Sequence, residues 1–213
     1  PYSFVAGNFE YLFYGKGGKI YYKITSGGSG QENELASGAN PIVTQHNNKF
    51  YLSYVDTDGF LKVFALKQGT SGDLSLDTGI LPSLGVLPSR LDAASFQNKL
   101  YIFYESGSSI RYIYNDGAWN GPFTLEKQVN LVHVNSPRVV IFENKLYVFY
   151  TKVISNGDRD IYVKISSDGS TWNNLDFPNE QPTLGLIIAD SMRDQYPVPF
   201  VRDSKLYLLY MTE

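Results

Sequence analysis

Five copies of a tyrosine-rich hairpin motif, frequent turn residues and the lack of any helix signal predict an all-β fold for this 213-residue chain. The class is read as a β-propeller of five four-stranded antiparallel blades, the last of them incomplete. The motif is Asn-Lys-Leu-Tyr-Ile-Phe-Tyr at 98–104 and Asn-Lys-Leu-Tyr-Val-Phe-Tyr at 144–150. Asn-Lys-Phe-Tyr-Leu-Ser-Tyr at 48–54 and Ser-Lys-Leu-Tyr-Leu-Leu-Tyr at 204–210 repeat it, and Asn-Phe-Glu-Tyr-Leu-Phe-Tyr at 8–14 is a worn copy. The copies recur at intervals of roughly 40–60 residues, the length of one propeller blade with an insertion.

Each blade is expected to follow one plan. Seven residues before the motif stands Pro1, Pro41, Pro137 or Pro197, with Leu91 as the exception. That proline suits the first position of an apolar inner strand (A), such as 138–142 or 198–201, where a missing N–H matters least. A short polar turn leads to the tyrosine-rich strand (B). A Gly- and Asp-rich turn leads to strand C at 19–25, 60–67, 109–114 and 160–165, and strand D follows near 119–125 and 172–177. The blades divide the chain at about 1–38, 39–84, 85–129, 130–185 and 186–213, as one domain. The fifth copy stops after strand B, so either the chain is truncated or closure uses another strand; an open edge there invites aggregation.

Composition agrees and excludes several functions. Tyr 17 and Phe 13 bring aromatics to 15%, which suits half-buried pleated surfaces. Gly 19 and Pro 10 supply the turns. A net charge of −3 argues against nucleic-acid partners, whose binders present a basic face. No apolar run reaches the ~18–20 residues of a membrane helix, so no membrane insertion is expected. With Cys 0, disulfides and thiolate metal sites are excluded. His46, at the A–B turn, and His133, in a linker, are the only histidines; both are expected at the surface, and no His-rich zinc site can form. The chain opens on Pro1 rather than Met, as a processed chain or a fragment does, and shows no signal peptide.

The fourth copy, Pro137-Arg-Val-Val-Ile-Phe-Glu-Asn-Lys-Leu-Tyr-Val-Phe-Tyr150 followed by Asp160-Ile-Tyr-Val-Lys-Ile-Ser-Ser-Asp-Gly-Ser-Thr-Trp172, resembles a blade of the five-bladed glycoside hydrolases of the arabinanase and fructosidase-like families. Ser166-Ser-Asp-Gly-Ser-Thr-Trp172 also resembles the Asp-box of sialidases, and the third copy, 110–121, is similar to blades of propeller lectins. The resemblance implies an Asp immediately before the proline of strand A. This chain has Asn40, Arg90, Ser136 and Tyr196 there, none acidic. Asp92 is displaced by two positions, and Arg138 holds its register in the next copy, so an Asp–Arg ion pair between neighbouring strands is expected. The sialidase arginine triad is missing, although Ser136-Pro-Arg138 is similar to its first strand. Where fucose-binding propellers carry Arg and Glu, Tyr101 and Tyr112 stand instead, so fucose specificity is not implied. Asp168 and Thr171 are read as tying a C–D turn, with Trp172 plugging the gap between blades; the same structural reading covers Asp116, Gly117 and Trp119.

Without a paired acid and base there is no expected catalytic residue, and no cofactor or metal is implied. The acidic turns at 56–59 and 156–160 are read as solvated hairpin tips, with calcium as the alternative. The leading functional expectation is a lectin-like carbohydrate-binding propeller, with shallow sites on the face of the B–C and D–A loops. Mixed carboxylate, guanidinium and aromatic groups suit a sugar's hydroxyls and apolar C–H face. The candidate ligand-binding residues are Arg90, Asp92, Glu105, Arg138, Asp56 and Tyr196, with Asp58 and Arg193 on the same face. The alternatives are a glycoside hydrolase with displaced acids (Asp92, Glu105 and Asp194) and a protein-interaction, adhesin or toxin-subunit scaffold. Glycans or glycoproteins are the expected partners, and an extracellular or cell-surface location follows from the resemblance.

Overall fold

A computed structural model describes residues 2–26, 30–79, 88–127, 133–153, 159–175, 186–188 and 195–211. Every element among them is a strand. Blade one is β1 (Tyr2–Ala6), β2 (Phe9–Lys16), β3 (Lys19–Ser26) and β4 (Glu32–Ser37). Blade two is β5 (Ala39–His46), β6 (Lys49–Val55), β7 (Leu61–Gln68) and β8 (Leu74–Gly79). Blade three is β9 (Leu91–Phe96), β10 (Lys99–Glu105), β11 (Ile110–Asn115) and β12 (Trp119–Glu126). Blade four is β13 (His133–Phe142), β14 (Lys145–Val153), β15 (Arg159–Ser166) and the short β16 (Asn173–Asn174), with β17 (Leu186–Ile188) also paired to β15. A last hairpin pairs β18 (Gln195–Arg202) with β19 (Lys205–Met211). Strands follow one another as antiparallel meanders. The fold is an all-β propeller, with four complete blades and the beginning of a fifth.

The hairpin between strands A and B explains the Asn-Lys frame. Gln97 and Asn98, Glu143 and Asn144, and Asn47 and Asn48 all have φ between 46° and 60°. Two successive left-handed residues make the turn that matches strand twist, and Asn tolerates that conformation best among residues with a side chain. Asp203 and Ser204 form the same turn with φ 49° and 55°.

That turn fixes which side chains face where. In β14, Leu146, Val148 and Tyr150 join one cluster with Tyr101, Phe103, Ile110 and Tyr112 of blade three. Tyr147 and Phe149, one residue out of phase, join a second cluster with Ile161, Val163, Leu206 and Leu208. In the first ninety residues the same alternation brings Tyr11 and Phe13 of blade one against Leu52 and Tyr54 of blade two. There Tyr11 Oη donates to the Gly72 carbonyl at 2.6 Å, and the Leu74 N–H donates to Tyr22 Oη at 3.0 Å. The chain forms two compact units, Pro1–Leu91 and Asp92–Glu213, each with such an interblade core.

Three expectations are corrected. The prolines do not open their strands: Pro41, Pro137 and Pro197 lie inside β5, β13 and β18. A bulge at each takes the proline out of the paired register, where a missing N–H is tolerated. His46 is 7% exposed rather than at the surface, because it ends strand A on the inward face, its ring centroid 6.0 Å from that of Tyr51. Burial pushes its imidazole pKa down. His133 begins β13, paired with Val153, rather than lying in a linker.

The Asp-box turn locks blade four onto blade three. Asp168 Oδ1 accepts the Ser170 and Thr171 N–H groups at 2.8 and 2.7 Å, and the Ser166 hydroxyl at 2.9 Å. These bonds, the Thr171 amide foremost, hold the carboxyl well below its usual range. The turn directs Trp172 edge-on against Phe103 at 5.7 Å and Tyr112 at 5.6 Å, the plug that the sequence predicted. Gly169 sits at φ +72°, and a Cβ there would lie 2.6 Å from Cζ of Tyr101, whose ring is fully buried. Gly169→Ala is therefore expected to destabilise the protein by roughly 2–4 kcal/mol, from overpacking and the left-handed backbone together. A Tyr101→Phe background should return part of that loss. Urea midpoints of the two single variants and the double variant check it.

Candidate functional site

The three proline bulges share one geometry. Asn40-Pro41 stands opposite Tyr54, Ser136-Pro137 opposite Tyr150, and Tyr196-Pro197 opposite Tyr210, the final tyrosine of the motif in each case. Asn40, Ser136 and Tyr196 have φ of 53°, 56° and 57°. A residue before proline is normally held in the extended region, so this conformation is strained, by about 1–2 kcal/mol for a non-Gly residue. Strain of this kind concentrates where a bulge re-aims a side chain at a functional site. Asn40 Nδ2 donates to the Ser89 carbonyl at 2.7 Å. Ser136 is buried, its hydroxyl donating to Asn135 Oδ1 at 3.1 Å. Tyr196 remains exposed.

Blades three and four bring Asp92, Glu105 and Arg138 together. Asp92, on β9, is half-buried; Oδ2 accepts the Val139 N–H at 2.8 Å and Oδ1 the Ala93 N–H at 3.0 Å. Burial drives its carboxyl pKa up to about 6, although Arg138 and the two amides pull it the other way. The expected Asp–Arg ion pair is thus replaced by backbone amides, with Arg138 acting only as a nearby charge on an exposed side chain. Glu105, at the end of β10, accepts the Ser136 N–H on Oε2 at 3.3 Å. Both carboxylates therefore accept backbone N–H groups of β13, from Ser136 and Val139. One is a candidate proton donor near neutral pH, and the other is a half-buried carboxylate at the same bulge.

The remaining candidates fall elsewhere. Arg90, two residues before Asp92, is half-buried and engaged by other groups. Asp56 lies in blade two and serves its own turn: Oδ1 accepts the Asp58 and Phe60 N–H groups at 3.0 and 2.8 Å, and Oδ2 pairs with Lys62 at 3.3 Å. Burial alone would raise its pKa, but the Phe60 amide and Lys62 hold it below the usual range. Among the described residues no group of three or more His, Asp or Glu side chains is placed to hold a metal ion. Residues 156–158 of the second acidic turn, with Arg193 and Asp194, lie outside the described residues.

Sequence reasoning missed one interblade network. Glu126, closing β12, pairs with Lys152 at 3.1 Å and Lys164 at 3.3 Å, and accepts the Tyr150 hydroxyl at 3.2 Å. All three charged side chains are only about one-sixth exposed, and Lys152 lies 4.3 Å above the Tyr162 ring. Burial and the adjacent Glu126 charge push the Tyr150 phenol far above its ordinary range. The only sequence signal is the in-phase spacing of Tyr150 and Lys152 on β14.

No family model and no characterised protein sequence matches the chain. Solved structures do. An endo-arabinase from Bacteroides thetaiotaomicron VPI-5482 superposes with a TM-score of 0.58 at 14% identity, covering 99% of this chain and 87% of that one. The catalytic domain of a Coprinopsis cinerea GH62 alpha-L-arabinofuranosidase gives 0.61 at 11% identity, covering 99% and 82%. An exo-1,5-alpha-L-arabinanase from a bovine ruminal metagenomic library gives 0.59 at 12% identity, covering 100% and 86%. At these identities the likeness establishes the propeller architecture that the motif predicted.

Asp92 makes stability depend on pH with a definite sign. Its folded pKa of about 6 lies above the 3.8 of an ordinary aspartate, so the stabilisation is complete below pH ~4 and is lost as pH rises through ~6. Asp92→Asn removes the titrating group. From pH 4 to pH 7 the variant should gain on the order of 3 kcal/mol relative to wild type, at ~1.4 kcal/mol per pKa unit. Chemical denaturation at the two pH values measures it.

Proposed function

We propose that this chain is a carbohydrate-active propeller of the arabinanase and arabinofuranosidase type, cleaving furanoside linkages in arabinose-containing glycans. The observation that carries the reading is the Asp92–Glu105 pair held on β13, one carboxyl with its pKa raised to about 6. Glycosidic cleavage requires a protonated acid on one side of the bond and a carboxylate on the other. In this reading Asp92 protonates the leaving oxygen and Glu105 activates the water. The likeness to solved arabinan- and arabinofuranoside-named hydrolases supports the substrate class. Glycans as partners and an extracellular or cell-surface location follow from it.

A lectin-like reading is favoured by a different observation: the strained positions before the prolines carry Asn40, Ser136 and Tyr196 rather than acids. Neutral hydrogen-bonding groups and an exposed aromatic ring hold sugars without cutting them. Release of reducing ends from arabinan and arabinoxylan separates the two. Hydrolysis by the wild type, reduced about 100-fold or more in Asp92→Asn and in Glu105→Gln, is the expected outcome. Saturable binding of arabino-oligosaccharides without any hydrolysis would establish the lectin reading in its place.

A further inference from the structure

The bulge on β13 is held in place by a residue outside the carboxylate pair. Ser136 stands before Pro137 at φ 56° and is 5% exposed. Proline holds the residue before it in extended backbone, and a left-handed conformation suits Gly or Asn far better than Ser. Cross-strand pairing does not impose it, because Ser136 and Pro137 fall between the Asn135–Thr151 and Arg138–Phe149 pairs. Blade two meets the same requirement with the residue itself: Asn40 takes the left-handed position, preceded by Ala39. Blade four has a serine there and an asparagine one residue earlier.

Asn135 is placed to compensate. The Ser136 hydroxyl donates to Asn135 Oδ1 at 3.1 Å. Asn135 is the cross-strand partner of Thr151, which is 1% exposed, so the ladder fixes the backbone from which its side chain projects. The left-handed turn aims the Ser136 N–H at Glu105 Oε2, 3.3 Å away. Relaxation of Ser136 into extended backbone would rotate the peptide and withdraw that N–H from Glu105. Asp92 would keep its own donor, the Val139 N–H at 2.8 Å, because Val139 is back in register with Val148. The hydrogen bond at Asn135 thus bears on one carboxylate of the pair and not on the other.

We propose that Asn135 is a positioning residue: through the Ser136 hydroxyl it holds the left-handed backbone whose N–H fixes Glu105. Its bearing on cleavage rests on the hydrolase reading above, whereas its hold on Glu105 does not.

Amide hydrogen exchange in the full chain, read by NMR at Ser136 and Val139 together, tests the assignment. In Asn135→Ala the protection of the Ser136 amide should fall roughly tenfold or more, the loss of a hydrogen bond to a charged group, while Val139 keeps its wild-type protection. Adding Ser136→Gly, which takes up positive φ without a holder, should return the amide at position 136 to within about threefold of wild type. An unchanged Ser136 amide, equal losses at both amides, or no recovery in the double variant would overturn the proposal. On arabinan, kcat should fall roughly tenfold in Asn135→Ala at unchanged KM and recover in the double variant. A kcat that does not follow the Ser136 amide would also overturn it. A wild type that cleaves nothing sinks the hydrolase reading alone, and exchange at Ser136 still decides whether Asn135 places Glu105.

Discussion

The register of the hairpin between strands A and B is the constraint from which the rest of each blade follows. Two successive left-handed residues, such as Glu143 and Asn144, leave Phe142 paired with Lys145 and permit no slip. A shift of one residue would exchange the two faces of the blade. Tyr150 would then point where Phe149 lies, and the aromatic core shared with blade three would be lost. The motif is tyrosine-rich because a strand sandwiched between two sheets must bury large side chains on both faces. The phenol hydroxyls also reach polar groups at the blade margins, as Tyr11 does at Gly72.

Against that regular frame, the bulges at Asn40, Ser136 and Tyr196 are a local departure with a purpose in the geometry. Each inserts one residue opposite the last tyrosine of the motif and turns the residue before proline into a left-handed conformation. On blade four the bulge also frees the Ser136 N–H from the ladder, and Glu105 takes it. A few residues along, the Val139 N–H goes to Asp92. Two carboxylates thus use backbone donors of a single strand, and burial raises the pKa of Asp92 to about 6.

Electrostatics differ between the faces of neighbouring blades in a way that their similar sequences conceal. Glu126 gathers Lys152, Lys164 and Tyr150 into a satisfied, largely desolvated network. Such a network stabilises only while every member keeps its partner, since removing one leaves an uncompensated buried charge.

Much of the fold was legible in the residues themselves. Motif spacing, strand alternation and turn chemistry are local properties, so strands B and C, the Asp-box turn and the Trp172 plug could all be read along the chain. His46 is buried where the sequence suggested a surface position, because its burial depends on which neighbours cover it. The site was legible in part. Asp92, Glu105 and Arg138 stood out as charges near the loop ends, whereas Asp56 looked equivalent until its own turn claimed both oxygens. The raised pKa of Asp92 had no signal beyond residue type, and the Glu126 network only the in-phase spacing of Tyr150 and Lys152. The sequence by itself determined the hairpin, its register and its repetition, because those are set by residues a few positions apart. Tertiary structure alone decided that the Asp92 pKa is raised and that Glu126 gathers two lysines and a tyrosine, because desolvation and hydrogen-bond satisfaction depend on side chains from strands far apart in the chain.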